Sequence, residues 1–228
     1  NSYATNAVTW EIATKHDVGI DFSLWDDRLT GTIDYFHEQR DGIYMQRNFI
    51  PIVVGLDQNK KYSTNIGSSL SKGFDGNFAL KQRIDDVRLT LRGNFTYSKS
   101  KILVYDEQRS NYPYKKNAGF RVDQSRGFIA EGLFKDYDDI RNSPTQSFKE
   151  GVTPMPGDIK YRDINGDGKI DDNDKLPIGA TTRPNLIYGF GLSAEWKGFD
   201  FNVLFQGAGK STFFINGYTV YPFQSGDW

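Results

Sequence analysis

The chain has 228 residues, no cysteine and a formal net charge of −1. That is enough for one large domain. It excludes disulfides, thiolate zinc sites and cysteine nucleophiles, and it offers neither the basic field that nucleic-acid binding needs nor an acidic tail. Aromatic residues at 15 %, 23 glycines and a mean hydropathy of −0.60 suit alternating strands better than a helix bundle. No run of about 18 apolar residues occurs, so no membrane helix is expected. A membrane β-barrel stays open, because its strands are only half apolar. Asn1-Ser2-Tyr3 is polar, and any export signal is expected on a longer precursor.

Residues 10–24 place Trp10, Ile12, Val18, Ile20, Phe22 and Leu24 on one parity, against Glu11, Lys15, Asp17, Asp21 and Ser23. A period of two over that length predicts a strand longer than ordinary globular sheets use. Asp26-Asp27 breaks the pattern, and Leu29, Ile33 and Tyr35 resume it, which predicts a hairpin. From Arg40 to Lys61 the pattern is mixed and reads as a loop. Its apolar tip, Ile50-Pro51-Ile52-Val53-Val54-Gly55, is kept out of a central ladder by Pro51.

A second hairpin carries Ile66, Leu70, Phe74, Phe78 and Leu80, turns at Asp85-Asp86, and returns through Val87, Leu89, Leu91, Gly93, Phe95 and Tyr97. Between Lys99 and Thr182 the alternation dissolves into Gly, Pro, Asn, Asp and Tyr, which predicts one long loop region over 99–184. A third hairpin runs from Leu186 to Trp196, turns at Lys197-Gly198 and continues from Phe199 to Phe205.

Three long hairpins thus have very short turns at one end and long polar connections at the other. Bacterial outer-membrane barrels are built so, with short periplasmic turns and long extracellular loops. The expected fold is all-β: an antiparallel transmembrane β-barrel whose apolar parity faces outer-membrane lipid and whose polar parity faces a wet lumen. Trp25, Trp196 and Phe199, beside the short turns, suit an aromatic girdle. The alternative is a soluble antiparallel sheet packing its apolar face on a core.

Within the long loop, Asp163-Ile164-Asn165-Gly166-Asp167-Gly168-Lys169-Ile170-Asp171-Asp172-Asn173-Asp174 places oxygen-bearing side chains at positions 1, 3, 5 and 12 with Gly at 6. That is calcium-loop spacing. The ligands expected are Asp163, Asn165, Asp167, the Lys169 carbonyl and Asp174, with Ile170 as an apolar anchor. A polar turn without metal is the plain alternative. A dockerin module would need a second copy and helical flanks, and neither is visible.

Tyr105, Tyr112, Tyr114, Phe120 and Tyr137 are candidates for contact with a ligand or a lid protein, or for simply holding the loop together. Gly207-Ala208-Gly209-Lys210-Ser211 resembles the end of a phosphate loop, but Leu204 stands where its first Gly belongs and no helix follows. The Asn94-Phe95-Thr96 sequon falls within a strand. His16 and His37 form no triad or ligand pattern. Asp26-Asp27, Asp85-Asp86 and Asp138-Asp139 read as solvated turns rather than catalytic pairs, so no enzymatic activity is expected.

Several segments resemble the SusC/RagA-like TonB-dependent outer-membrane transporters of Bacteroidetes. They include Asp17-Val18-Gly19-Ile20-Asp21-Phe22, Gly31-Thr32-Ile33-Asp34-Tyr35-Phe36, Asn65-Ile66-Gly67 with Lys72-Gly73-Phe74, and Gly127-Phe128 with Gly132-Leu133-Phe134. Pro156-Gly157-Asp158-Ile159-Lys160-Tyr161-Arg162-Asp163 with the acidic loop is the most specific, and Lys197-Gly198-Phe199-Asp200-Phe201 with Phe205-Gln206-Gly207 is the last. Asp75 departs from the Glu usual after Lys-Gly-Phe. The resemblance implies the second half of a barrel of about 22 strands. It further implies a plug and a TonB-contacting segment elsewhere in a longer protein, a SusD-like surface lipoprotein as partner, and import of oligosaccharides or peptides. Rival readings are a calcium-stabilised surface β-protein that binds glycans without transport, and a passive porin.

Overall fold

The computed structural model describes residues 8–48, 55, 62–146, 148 and 153–215. The apolar tip Ile50–Val54 and the opening Asn1-Ser2-Tyr3 lie outside the described residues. Six long strands form one antiparallel sheet: β1 (Ile12–Leu24), β2 (Leu29–Gln46), β3 (Ser63–Ile84), β4 (Val87–Val104), β11 (Leu186–Trp196) and β12 (Phe199–Gly209), in the order β1-β2-β3-β4-β11-β12. Between β4 and β11 the chain forms β5 (Gln124–Gly127), β6 (Ala130–Leu133), α1 (Tyr137–Arg141), β7 (Thr145–Gln146), β8 (Ile159–Tyr161), β9 (Lys169–Ile170) and β10 (Leu176–Thr181). The sheet does not close, and among the described residues no helix is long and apolar enough to cross a membrane.

The three short turns lie at one end, as the patterning predicts. Asp26, Asp27, Asp85 and Lys197 take left-handed backbone there, and Gly198 follows at φ 87°. Short Asp side chains tolerate that region, Trp25 and Lys197 adopt it as well, and the resulting twist matches the flanking strands.

Register sorts the side chains into rows across the sheet. On the apolar face, Leu24, Leu29, Leu80, Leu91, Leu192 and Val203 form one row. The next is Phe22, Gly31, Phe78, Gly93, Phe190 and Phe205. Here rings alternate with glycines for a steric reason: a Cβ on Gly31 would meet Phe22 at 2.6 Å, and one on Gly93 would run into the Phe78 ring. Phe22 and Phe78 lie over the bare backbone of Gly31 and Gly93, a packing known to stabilise strand glycines, while Phe190 and Phe205 stack on each other.

This apolar face is uncovered. Ile20 is 67 % exposed and Phe190 48 %, while among the described residues the only buried apolar side chains are Phe134 and Ile170, both in the long connection. A soluble sheet would bury such a face against a core, and among the described residues none covers it, as expected for a face turned to lipid. The band runs from the row of Ile84, Val87, Trp196 and Phe199 to the row of Val18, Tyr35, Phe74, Tyr97 and Leu186. Ten residues at about 3.3 Å each, tilted by about 40°, give a height of about 25 Å, the thickness of a barrel's lipid-facing band.

Two boundaries differ from the sequence reading. β2 continues to Gln46, through residues expected to be loop, past a register shift between Asp41 and Ile43 that scrambles the parity. β4 continues to Val104, six residues into the expected loop. The rest of that region is not structureless. It contains three small two-stranded sheets, β10-β5, β6-β8 and β7-β9.

Candidate functional site

The functional candidates gather in the connection between β4 and β11, at the end of the sheet opposite the short turns. The acidic loop is shaped by its own side chains. Asp163 accepts from the amides of Gly166 (2.7 Å) and Gly168 (2.8 Å), Asn165 Oδ1 from that of Asp167 (3.0 Å), and Asp167 Oδ1 from that of Lys169 (2.9 Å). These are turns in which a short side chain replaces a backbone acceptor. Gly166 and Gly168 sit at φ 77° and 80°, a conformation that a Cβ would oppose.

Asp174 is fully buried. Its Oδ1 accepts from Ile164 N (2.8 Å) and its Oδ2 from Asp171 N (2.8 Å), so it ties the start of the loop to its end. Asp171 reciprocates by accepting from Asn173 N, which completes a capping box on the short 3-10 turn Asp172–Asp174. Ile170 is buried, as an anchor should be, and β9 holds it through parallel pairing with β7.

Among the described residues no three His, Cys, Asp or Glu side chains converge as a metal-ligating group. The loop carboxylates face amides instead. Each keeps acceptor capacity beyond the amide it binds, since a carboxylate offers about four lone-pair sites. The donors are of the oxygen type calcium takes, but they do not converge here, and the loop's own hydrogen bonds hold its shape.

Two of the five aromatic candidates pack on this loop. Tyr112 and Tyr114 stack with ring centroids 5.6 Å apart. Asn165 Nδ2 donates to the Tyr112 hydroxyl (3.3 Å), and the Tyr114 hydroxyl donates to the Asn173 carbonyl (2.8 Å). Burial holds the Tyr114 phenol above its ordinary pKa, and the nearby Asp174 carboxylate adds to the effect. Tyr105 and Phe120 line a separate open cleft of about 330 Å³ with Ile102, Arg121 and Arg126. Tyr137, the first residue of α1, stands apart and 61 % exposed.

The sequence reading missed several participants. Lys115 donates to Asn173 Oδ1 (2.7 Å), and the Arg126 guanidinium donates to the carbonyls of Tyr114 and Lys116. Phe128, Phe148 and Tyr161 form a ring cluster with centroids 5.0–5.6 Å apart, beside a second cleft of about 320 Å³. Only the high aromatic content of the loop hinted at such clusters. Gly207 to Gly209 belong to β12, so the phosphate-loop likeness has no helix to open. His16 and His37 face each other across β1 and β2, with rings 6.1 Å apart.

An open antiparallel sheet with one lipid-height apolar face and large loops at a single end is part of a transmembrane barrel wall. Comparison with known proteins agrees, and the chain belongs to the TonB dependent receptor-like, beta-barrel family, whose model matches residues 1–221. It is 26 % identical to TonB-dependent receptor P3 of Formosa agariphila over 215 residues, covering 90 % of this chain and 21 % of that protein. It is 26 % identical to TonB-dependent receptor SusC of Bacteroides thetaiotaomicron over 220 residues, covering 95 % of this chain and 20 % of SusC. The chain thus spans about a fifth of the length of the curated relatives it matches. By fold it is similar to the RagAB peptide importer in its open-open state, with a TM-score of 0.63 at 16 % identity, covering 92 % of this chain and 23 % of that one.

Proposed function

We propose that this chain is a section of the barrel wall and one large extracellular loop of an outer-membrane, TonB-dependent importer of oligosaccharides or peptides. The importer works with a SusD-like surface lipoprotein and has no chemistry of its own. The observation that carries the reading is the uncovered apolar band of about 25 Å on a sheet with all its short turns at one end, in a chain of the TonB-dependent receptor family. The RagAB peptide importer among similar folds motivates the peptide class, and the oligosaccharide class comes from the family resemblance. In this reading the polar face, with Asp21, Thr32, Asn77 and Asn94 in one row, lines the lumen. The clefts beside Tyr105 and Phe148 give the loop surfaces for a cargo or a lid.

The test uses the intact parent protein. It is expected to fractionate with the outer membrane, and its deletion, or removal of TonB, is expected to abolish uptake of labelled oligosaccharides or oligopeptides. A parent that is monodisperse without detergent, or uptake that persists without TonB, overturns the reading.

Calcium bound by Asp163, Asn165, Asp167, the Lys169 carbonyl and Asp174 is part of the same proposal, as a structural ion that stiffens the loop. Its support is the ligand spacing and the acceptor capacity left on each carboxylate. Calorimetric titration of the intact protein should show calcium binding that Asp163→Ala removes; absence of heat in the unsubstituted protein refutes it.

A further inference from the structure

On the apolar face, the rows change character immediately beyond the band at its loop end. His16, His37, Lys72 and Lys99 stand side by side across β1–β4. Lys101 lies one row further out, opposite Leu70, and Lys210 reaches back over the Tyr97 ring at 4.9 Å. All four lysines are exposed. Among the described residues no carboxylate pairs with Lys72, Lys99 or Lys101. Asp41, the acid nearest along this face, is engaged by Ser68 and Gln39. Glu38 binds Lys15 and Arg40 on the opposite face.

Lys72 and Lys99 are direct cross-strand partners. Their Cβ atoms are then about 5 Å apart, and like charges so placed destabilise a sheet. With no carboxylate among the described residues to offset the repulsion, an anion outside the protein would relieve it further than water and salt do. The row borders Val18, Tyr35, Phe74 and Tyr97, so whatever supplies the anion also meets apolar surface on one side. Free phosphate has no use for that surface; a lipid fills both halves.

We propose that this basic row is a docking surface for phosphate-bearing lipid headgroups in the leaflet on the loop side, their acyl chains lying along the apolar band. The inference rests on the outer-membrane reading above.

The intact parent receptor in neutral detergent is titrated with phosphorylated lipid A and with the same lipid dephosphorylated, and bound lipid is counted by native mass spectrometry. The Lys72→Gln/Lys99→Gln/Lys101→Gln variant should bind phosphorylated lipid A about tenfold more weakly or worse, given the typical contribution of a lysine at an anionic surface. Dephosphorylated lipid should bind both proteins alike. A Lys81→Gln/Arg83→Gln variant at the short-turn end should bind as the unsubstituted receptor does. Heat-modifiable electrophoretic mobility reports barrel folding; if the triple variant fails it, Lys99→Gln and Lys101→Gln singly carry the comparison.

Equal binding of phosphorylated lipid by receptor and variant overturns the proposal. So does equal binding of the two lipids by the unsubstituted receptor, or competition by inorganic phosphate as strong as by lipid. A parent that does not fractionate with the outer membrane sinks the transport reading as well. A membrane-inserted parent with unchanged lipid binding sinks only the docking row.

Discussion

Leu91 stands near the middle of the apolar band, between Leu80 of β3 and Leu192 of β11, and is 39 % exposed. Leu91→Arg would set a guanidinium into hydrocarbon where no described side chain of the face can pair with it. An arginine at the midplane of a membrane barrel costs about 2–4 kcal/mol, a roughly 30- to 700-fold loss in the folding equilibrium. Asn94→Arg, three residues along β4, points to the opposite face between Asn77 and Gly189. There the guanidinium stays wet, and a change within about 0.5 kcal/mol is expected. Urea titration of the intact parent protein, refolded into phosphocholine vesicles, compares the two. Equal costs at the two positions, or a larger cost at Asn94, would refute the assignment of faces.

Other expectations concern single contacts. Asp174→Ala leaves the amides of Ile164 and Asp171 without their acceptor. That costs about 1–3 kcal/mol for each amide kept from water, so hydrogen exchange at both should quicken at least about tenfold while β1–β4 stay protected. Gly93→Ala drives a methyl group into the Phe78 ring. It should cost about 1–3 kcal/mol, and less than half of that when Phe78→Ala is already present. The Tyr114 phenol, raised above its ordinary value of 10.0, contributes stability that is complete below that value and lost as pH climbs through the raised one. Absorbance at about 295 nm, differenced against Tyr114→Phe, should show this phenolate forming after the ordinary tyrosines; a normal or early titration contradicts the packing of Tyr114 on the loop.

The parts legible in the sequence were those where lipid and water impose opposite demands on alternate residues. Val18, Ile20 and Phe22, or Leu89 and Leu91, announce both a strand and its face. That pattern belongs to the bilayer and not to the strand itself. Where β4 leaves the band, Lys99 and Lys101 replace the apolar residues and the ladder continues unannounced to Val104. At Asp41 the register shift hides the end of β2 in the same way.

In the loop, the acidic spacing pointed to a calcium loop anchored by Ile170; Ile170 is buried, and the loop is built from turns in which side chains bind its own amides. The spacing could not show that Asp174 turns inward to the amides of Ile164 and Asp171. The pairing of Tyr112 with Asn165 spans 53 residues, and β7 meets β9 through two residues each. No local periodicity encodes such contacts, because the partners are chosen by how the loop folds back over the sheet.

The strands are longer than a bilayer requires, and this has a geometric consequence. Beyond the row of Tyr35 and Phe74, β2 runs on to Gln46 and β3 starts back at Ser63, eleven residues on each strand. At the same rise and tilt that is a palisade about 28 Å tall beyond the apolar band, its lowest row at headgroup level and the rest in water. An extended tripeptide is about 10 Å long. In the transport reading, a cargo of that size would pass wholly inside the palisade before reaching the level of the lipid, so its capture at the rim and its crossing of the membrane would be events at different heights.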